Sequence, residues 1–132
     1  MSDSRFPLCM IVDDNELDCF ILKKLIEANN FSAEAIALSD ARSALDYLKA
    51  NSGNSEKLPR IIFLDIMMPG MDGFEFLDEF EKLSETVRNT CRVVLISTSE
   101  SFKDLNRANK SKFVFRFLNK PITEEMLANI SG

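Results

Sequence analysis

The sequence contains no histidine and only one tyrosine. Without histidine, a serine–histidine or cysteine–histidine catalytic pair is excluded, and so are the common zinc sites that use imidazole ligands. Any chemistry in this chain must therefore use aspartate, glutamate, lysine, serine, threonine or the single tyrosine.

Cysteines are also few. Cys9, Cys19 and Cys91 are far apart in the sequence and odd in number. Cys9 and Cys91 lie in or beside apolar, strand-like runs, so we expect them to act as small buried hydrophobic residues. A reactive thiol is the less favoured alternative.

The chain lacks long apolar runs and lacks excess positive charge. No run approaches the roughly 20 residues that a helix needs to cross a bilayer, and the amino terminus has no signal-peptide pattern. The net charge of −5 disfavours general nucleic-acid binding, which requires a basic surface. We therefore expect a single cytoplasmic domain with no membrane association and no direct nucleic-acid binding.

Five apolar runs of strand length alternate with five segments of helical spacing. The predicted strands are 8–12, 31–38, 60–65, 93–96 and 113–118. The predicted helices are 16–28, 41–48, 74–83, 102–110 and 124–130. The polar segment 51–57 is a predicted loop, and segment 84–89 is polar. This alternation is typical of an α/β fold with one parallel sheet and helices on both faces.

Two segments carry more detailed predictions. The first helix repeats apolar residues at helical spacing, including Leu17, Phe20 and Ile21. In the last strand, Phe113, Phe115 and Phe117 alternate along the chain and are predicted to lie on one side.

Polar residues follow the carboxyl ends of four predicted strands. Asp13 and Asp14 follow the first strand, Asp65 the third, Thr98 the fourth and Lys120 the fifth. If the strand order is the flavodoxin-like 2-1-3-4-5, the topological switch point, where ligands bind in such sheets, lies between the first and third strands. The carboxylates would then converge there, with a hydroxyl and an ammonium nearby.

Three ionised carboxylates that lie close together repel one another, and a hard divalent cation such as Mg²⁺ offsets that repulsion. Mg²⁺ beside a lysine suits the handling of a phosphoryl group, which a carboxylate can carry as an acyl phosphate. Simpler readings remain open. The aspartates occur often at turns and helix caps, Thr98 could make local turn bonds, and Lys120 could be a solvated surface residue.

Four motifs together resemble the receiver domain of response regulators in two-component signalling. They are IVDD at 11–14, FLDIMMPGMDGFEFL at 63–77, VVLISTS at 93–99 and FLNKP at 117–121. The resemblance covers nearly the whole chain and implies one receiver domain over residues 5–132, with no effector domain. It also implies a three-layer sandwich around a five-stranded parallel sheet of order 2-1-3-4-5.

The resemblance also implies a role for each site residue. Asp65 would be the phosphoacceptor. Asp13 and Asp14 would hold Mg²⁺ together with Asp65 and the backbone carbonyl of Met67. Lys120 would pair with the phosphoryl group, and the bond from Lys120 to Pro121 would be cis.

Signalling roles follow from the same resemblance. Thr98 would bond a phosphoryl oxygen, and Phe117 would be a switch aromatic, although a plain core role for Phe117 is about equally favoured. The surface that changes would comprise the fourth helix, the fifth strand and the fifth helix. Met67 and Glu100 occupy positions that tune dephosphorylation in the receiver family. The apolar Met67 predicts slow hydrolysis of the phosphoryl group on Asp65.

The expected function is a signalling module rather than an enzyme. It would accept its phosphoryl group from a sensor histidine kinase or a histidine phosphotransfer protein, in a Mg²⁺-dependent reaction. It would then act on an unknown downstream protein or relay the group. A phosphate-independent binding module and a Mg²⁺-dependent phosphohydrolase are the alternatives. The phosphohydrolase alternative lacks a general acid, because Met67 stands two residues after Asp65, where such an enzyme needs an acidic residue.

Overall fold

The structure, a computed structural model, describes residues 5–98 and 102–130. Five parallel strands form one sheet in the order β2-β1-β3-β4-β5. The strands are β1 (Phe6–Val12), β2 (Ser32–Leu38), β3 (Ile61–Asp65), β4 (Arg92–Ser97) and β5 (Val114–Asn119). The predicted order is therefore confirmed, and the carboxyl ends of β1 and β3 are neighbours.

Six α-helices lie among the described residues. They are α1 (Glu16–Ala28), α2 (Ala41–Ala50), α3 (Gly73–Phe80), α4 (Glu85–Thr90), α5 (Phe102–Lys110) and α6 (Glu124–Ala128), with a short 3₁₀ turn at Ser55–Lys57. Asp40 and Thr123 cap α2 and α6. The sequence prediction missed α4, in which only Val87 is buried. Consequently, the predicted fourth and fifth helices are α5 and α6.

Side chains of the central strands alternate between two apolar cores, one on each face of the sheet. Ile62 and Leu64 pack with residues of α2, α3, α4 and α5. Ile61 and Phe63 pack with residues of α1 and α6. Because both faces are covered, the central strands are apolar on both sides, and the predicted three-layer sandwich is confirmed.

Helix α1 has the predicted bounds, but three of the apolar residues that mark its helical spacing are exposed. Leu17, Phe20 and Ile21 are 64%, 59% and 51% exposed. The helix instead packs through Leu22 and Ile26, which lie one turn apart on the face toward the sheet. An apolar stripe of α1 is therefore exposed to solvent.

The phenylalanines of the last strand do not share one side. A register shift lies between two consecutive β4 residues, whose partners are Val114 and Arg116, so β5 carries one extra residue. Such a bulge reverses the alternation of side chains. Phe113 and Phe117 pack against the core beside α3, whereas Phe115 packs against the opposite core. The prediction of a single face was wrong for this reason.

Among the helices of residues 5–98 and 102–130, none is both long and apolar enough to cross a bilayer.

Candidate functional site

Asp65 is the last residue of β3 and is 6% exposed. The backbone nitrogen of Ile66 donates to the carbonyl of Ile96 on β4 at 3.0 Å, which continues the sheet one residue beyond Asp65. The nitrogen of Met67 donates to Asp65 Oδ1 at 3.2 Å. The sheet and the turn that follows therefore fix both the backbone and the carboxylate of Asp65.

Glycine at position 73 brings α3 close to this strand end. The nitrogen of Gly73 donates to the carbonyl of Ile66 at 2.9 Å. A Cβ at this position would lie 2.9 Å from Ile66 Cα and 3.2 Å from the carbonyl oxygen of Asp65. The first residue of α3 thus packs directly against the backbone that presents Asp65. Gly70, in the turn between them, has a φ of +83°, which glycine adopts without strain.

Asp13 and Asp14 follow β1, and Asp13 is 4% exposed whereas Asp14 is exposed. The nitrogen of Asp13 donates to the carbonyl of Leu38 at 3.1 Å, and Asp13 Oδ1 accepts from the nitrogen of Asn15 at 2.9 Å. Carboxylate oxygens of Asp13, Asp14 and Asp65 lie within 4.8 Å of one another. An all-oxygen donor set of this kind fits Mg²⁺.

Lys120 reaches this cluster from the end of β5. Its backbone nitrogen donates to the carbonyl of Ser97 at 2.8 Å, and its bond to Pro121 is cis, as the resemblance implied. Its Nζ lies 2.7 Å from Asp13 Oδ2, 2.8 Å from Asp18 Oδ2 and 3.5 Å from Asp65 Oδ2. The site therefore combines an acidic cluster with one ammonium.

Charge and burial shift the protonation equilibria of this cluster. Burial and the neighbouring Asp13 raise the pKa of Asp65 from 3.8 to about 6, although Lys120 and the Met67 nitrogen act in the opposite direction. Burial acts to lower the pKa of Lys120, but the hydrogen bonds to Asp13 and Asp18 outweigh it and raise that pKa above its ordinary value. At neutral pH, Asp65 is therefore mostly ionised and Lys120 remains a cation.

Asp18 is a site residue that the sequence reasoning missed. It lies in the first turn of α1, where an acidic residue also complements the helix dipole, so the pattern alone gives it no special role. The signal that points to it is its spacing, because Asp18 is the third residue of a helix that starts directly after Asp13, Asp14 and the cap Asn15.

Thr98 follows the end of β4 and is exposed. Together with Lys120 and Asp18, it lines a cleft of about 320 Å³ whose apolar wall includes Ile21 and Ile122. Phe117 is half-buried and packs against the core. The structure thus brings Asp13, Asp14, Asp65 and Lys120 together, with Thr98 at the adjoining cleft, whereas Glu100 lies outside the described residues.

The cysteines are poor candidates for chemistry. Burial raises the pKa of Cys9 to about 11 and that of Cys91 to about 12. Cys19 donates from Sγ to the carbonyl of Asp13 at 3.2 Å, and burial, together with the charge of Asp13, raises its pKa to about 11. All three remain thiols at neutral pH, and the burial of Cys9 and Cys91 agrees with the packing role predicted for these two.

Comparisons with known proteins give a consistent result. A family model described as "Response regulator receiver domain" matches residues 9–131. The chain is 35% identical over 120 residues to the probable methanogenesis regulatory protein FilR2 of Methanothrix harundinacea, covering 91% of this chain and 76% of that protein.

Two solved structures have the same fold. A two-component response regulator from Cytophaga hutchinsonii matches with a TM-score of 0.87 at 26% identity, covering 96% of this chain and 93% of that one. A response regulator receiver protein from Dyadobacter fermentans matches with a TM-score of 0.81 at 29% identity, covering 91% of each chain.

Proposed function

This chain belongs to the response regulator receiver domain family, and we propose on that basis that it accepts a phosphoryl group on Asp65. The observation that carries the proposal is the meeting of three carboxylates within 4.8 Å with one lysine, whose Nζ lies 3.5 Å from Asp65 Oδ2. Three carboxylates this close repel one another and destabilise the folded protein unless a cation is bound. The arrangement therefore suits phosphoryl transfer with a bound cation better than a structural role.

In the proposed reaction, a carboxylate oxygen of Asp65 attacks the phosphorus of a phosphohistidine. The O–P bond forms as the P–N bond breaks, and the leaving imidazole nitrogen keeps the electron pair. Because the pKa of Asp65 is about 6, the carboxylate is ionised and nucleophilic at neutral pH. Lys120 would pair with the charge on the transferred phosphoryl oxygens.

Asp13, Asp14 and Asp65 would hold Mg²⁺, with the backbone carbonyl of Met67 as a further ligand. Bound there, Mg²⁺ would offset the carboxylate charge and polarise the phosphoryl oxygens. Asp13 already accepts hydrogen bonds from Lys120 and from the Asn15 nitrogen, so its side chain is held in place.

The proposed phosphoryl donor is a protein, either a sensor histidine kinase or a histidine phosphotransfer protein, as is usual for receiver domains. Leu17, Phe20 and Ile21 on α1 and Met67 beside Asp65 are each more than half exposed. We call these four residues the donor-docking surface. Ile21 lines the cleft with Asp13 and Lys120, and Met67 follows Asp65 by two residues. Exposed apolar side chains beside a reactive site suit a protein partner, whereas a small donor such as acetyl phosphate does not require them.

The proposed output is a change around α5, β5 and α6 that a downstream protein reads, or else a relay of the phosphoryl group. Thr98 would bond a phosphoryl oxygen and thereby draw the end of β4 toward Asp65. Phe117, half-buried on β5, would reorient in response. Packed elements of this kind switch between discrete arrangements.

Hydrolysis of the acyl phosphate is expected to be slow. The Met67 side chain is 66% exposed and has no group that orients an attacking water strongly. A half-life of seconds, measured on the isolated protein, would contradict this expectation.

The test of phosphoryl acceptance compares the wild type with Asp65→Asn in the presence of Mg²⁺. Acetyl phosphate should produce a shifted band on a phosphate-affinity gel, and beryllofluoride should give a bound ¹⁹F NMR signal, in the wild type only. Asp78→Asn, which removes an exposed carboxylate of α3, is the matched control and should behave as the wild type. Modification that persists in Asp65→Asn would refute the assignment.

A further inference from the structure

Asp18 is held in a fixed position relative to Asp13. The side chain of Asn15 caps α1 by accepting from the nitrogen of Asp18 at 3.0 Å, and the nitrogen of Asn15 donates to Asp13 Oδ1 at 2.9 Å. Asn15 therefore links the first turn of α1 to the Asp13 carboxylate, through its side chain on one side and its backbone nitrogen on the other. The Asp18 carboxylate is not used by the cap and remains available to Lys120.

Lys120 makes its two short contacts away from Asp65. Its Nζ lies 2.7 Å from Asp13 and 2.8 Å from Asp18, but 3.5 Å from Asp65. The last distance is at the outer limit for a hydrogen bond. An ammonium has three N–H donors, and here two of them serve residues other than the expected phosphoacceptor.

The positions of Asp18, Asp65 and Lys120 indicate where Asp18 holds the Lys120 ammonium. Asp13, Asp18 and Lys120 line the cleft beside α1, whereas Asp65 does not. Asp13 and Asp18 together therefore hold the ammonium on the cleft side of the cluster. Asp13 is one of the proposed Mg²⁺ ligands, but Asp18 lies outside the set of carboxylates that approach within 4.8 Å of one another, so its contact with Lys120 is separable from the proposed metal binding.

We propose that Asp18 is a positioning residue that competes with the phosphoryl group on Asp65 for Lys120. This inference rests on the proposed function of Asp65. In the unphosphorylated protein, Asp18 anchors the ammonium on α1, and a phosphoryl group must draw it away. Asp18 thereby lowers the stability of the phosphorylated state relative to the unphosphorylated one. It also couples phosphorylation to the first turn of α1, next to the donor-docking surface.

The test measures the binding of beryllofluoride, a stand-in for the phosphoryl group, by ¹⁹F NMR titration at fixed Mg²⁺. Asp18→Asn keeps the side-chain size but removes the charge. Since Asp18 is 34% exposed, solvent screens its bond to Lys120, and we expect an affinity gain of roughly three- to tenfold. Asp18→Glu, which keeps the charge, should bind as the wild type does.

Two controls separate competition for Lys120 from a general charge effect. Glu16→Gln removes an exposed carboxylate from the same helical turn, with no contact to Lys120 among those the structure gives, and should leave the affinity unchanged. In a Lys120→Gln background, Asp18→Asn should also have no effect, because the group for which Asp18 competes is gone.

A second measurement needs neither metal nor beryllofluoride. In metal-free protein, the ammonium protons of Lys120 should exchange with water faster in Asp18→Asn than in the wild type, as seen by NMR of the lysine side chain. Equal exchange rates would show that Asp18 does not hold Lys120.

The outcomes distinguish this inference from the proposed function. If the wild type fails to bind beryllofluoride, the proposed function is wrong and the inference falls with it. If the wild type binds and Asp18→Asn binds equally or more weakly, only the inference is overturned. An equal gain in Glu16→Gln would also overturn it.

Discussion

Asp65 should destabilise the folded protein when it is ionised. Its folded pKa of about 6 lies above the ordinary value of 3.8, so its protonated form favours folding. That contribution is present below about pH 4 and is lost as the pH rises through about 6. In Mg²⁺-free buffer at pH 7.5, we therefore expect Asp65→Asn to be more stable than the wild type by on the order of 2 kcal/mol.

Urea denaturation checks this prediction at two pH values. The difference between Asp65→Asn and the wild type should be present at pH 7.5 and nearly absent at pH 4. Asp78→Asn, an exposed carboxylate variant on α3, should change stability little at either pH. A variant that is less stable than the wild type at pH 7.5 would contradict the assigned cause, which is burial together with repulsion from Asp13.

The site residues were predictable from the sequence only where a strand end determined their position. Asp13, Asp65 and Lys120 each follow an apolar run, and parallel strands bring such ends to one edge of the sheet. The contact between Asp18 and Lys120 joins residues that are 102 positions apart, at the point where the first turn of α1 and the end of β5 meet beside Asp13. No local pattern encodes that contact, so Asp18 was missed.

At the scale of elements, α1 has two apolar faces. Leu22 and Ile26 bind it to the sheet, while Phe20, at 59% exposed, adds little to that packing. We expect Phe20→Gln to leave stability nearly unchanged. It should slow phosphoryl transfer from a histidine-phosphorylated phosphotransfer domain by about tenfold, since it removes an apolar side chain that would be buried against the donor.

Rates measured with two donors test this role of α1. Phosphorylation of Phe20→Gln by acetyl phosphate should proceed at the wild-type rate, because the chemistry at Asp65 is untouched. Leu105→Gln, which replaces a residue of α5 that is 37% exposed, should transfer normally with both donors. A loss with acetyl phosphate as well would indicate damage to the site rather than to docking.

The errors at the element scale have three different physical origins. Helix α4 has a single buried residue, Val87, so it lacks the periodic stripe that identifies a helix in sequence. In α1, two apolar stripes lie side by side, and periodicity does not tell which one faces the sheet. The β5 bulge is a backbone irregularity that shifts Phe115 to the other face without changing the sequence pattern.

At the scale of the whole molecule, the alternation of strands and helices predicted one parallel sheet, and the resemblance to receiver domains supplied the strand order. That order has an electrostatic consequence. It places the ends of β1 and β3 side by side, and their carboxylates lie within 4.8 Å of one another. Repulsion between these carboxylates therefore lowers the free energy of unfolding. A cation bound at the carboxyl ends of β1 and β3 should offset it and stabilise the entire domain.

Mg²⁺ should accordingly raise the thermal midpoint of unfolding, because it binds the folded cluster and not the unfolded chain. At a concentration ten times its dissociation constant, the gain is about 1.4 kcal/mol, or roughly 5 °C for a domain of this size. Asp13→Asn removes a buried ligand and should abolish the shift, whereas Asp46→Asn, on the exposed side of α2, should retain it. Differential scanning calorimetry with and without EDTA measures both. If the midpoint of the wild type does not respond to Mg²⁺, or if Asp13→Asn responds equally, the three carboxylates are not a metal site.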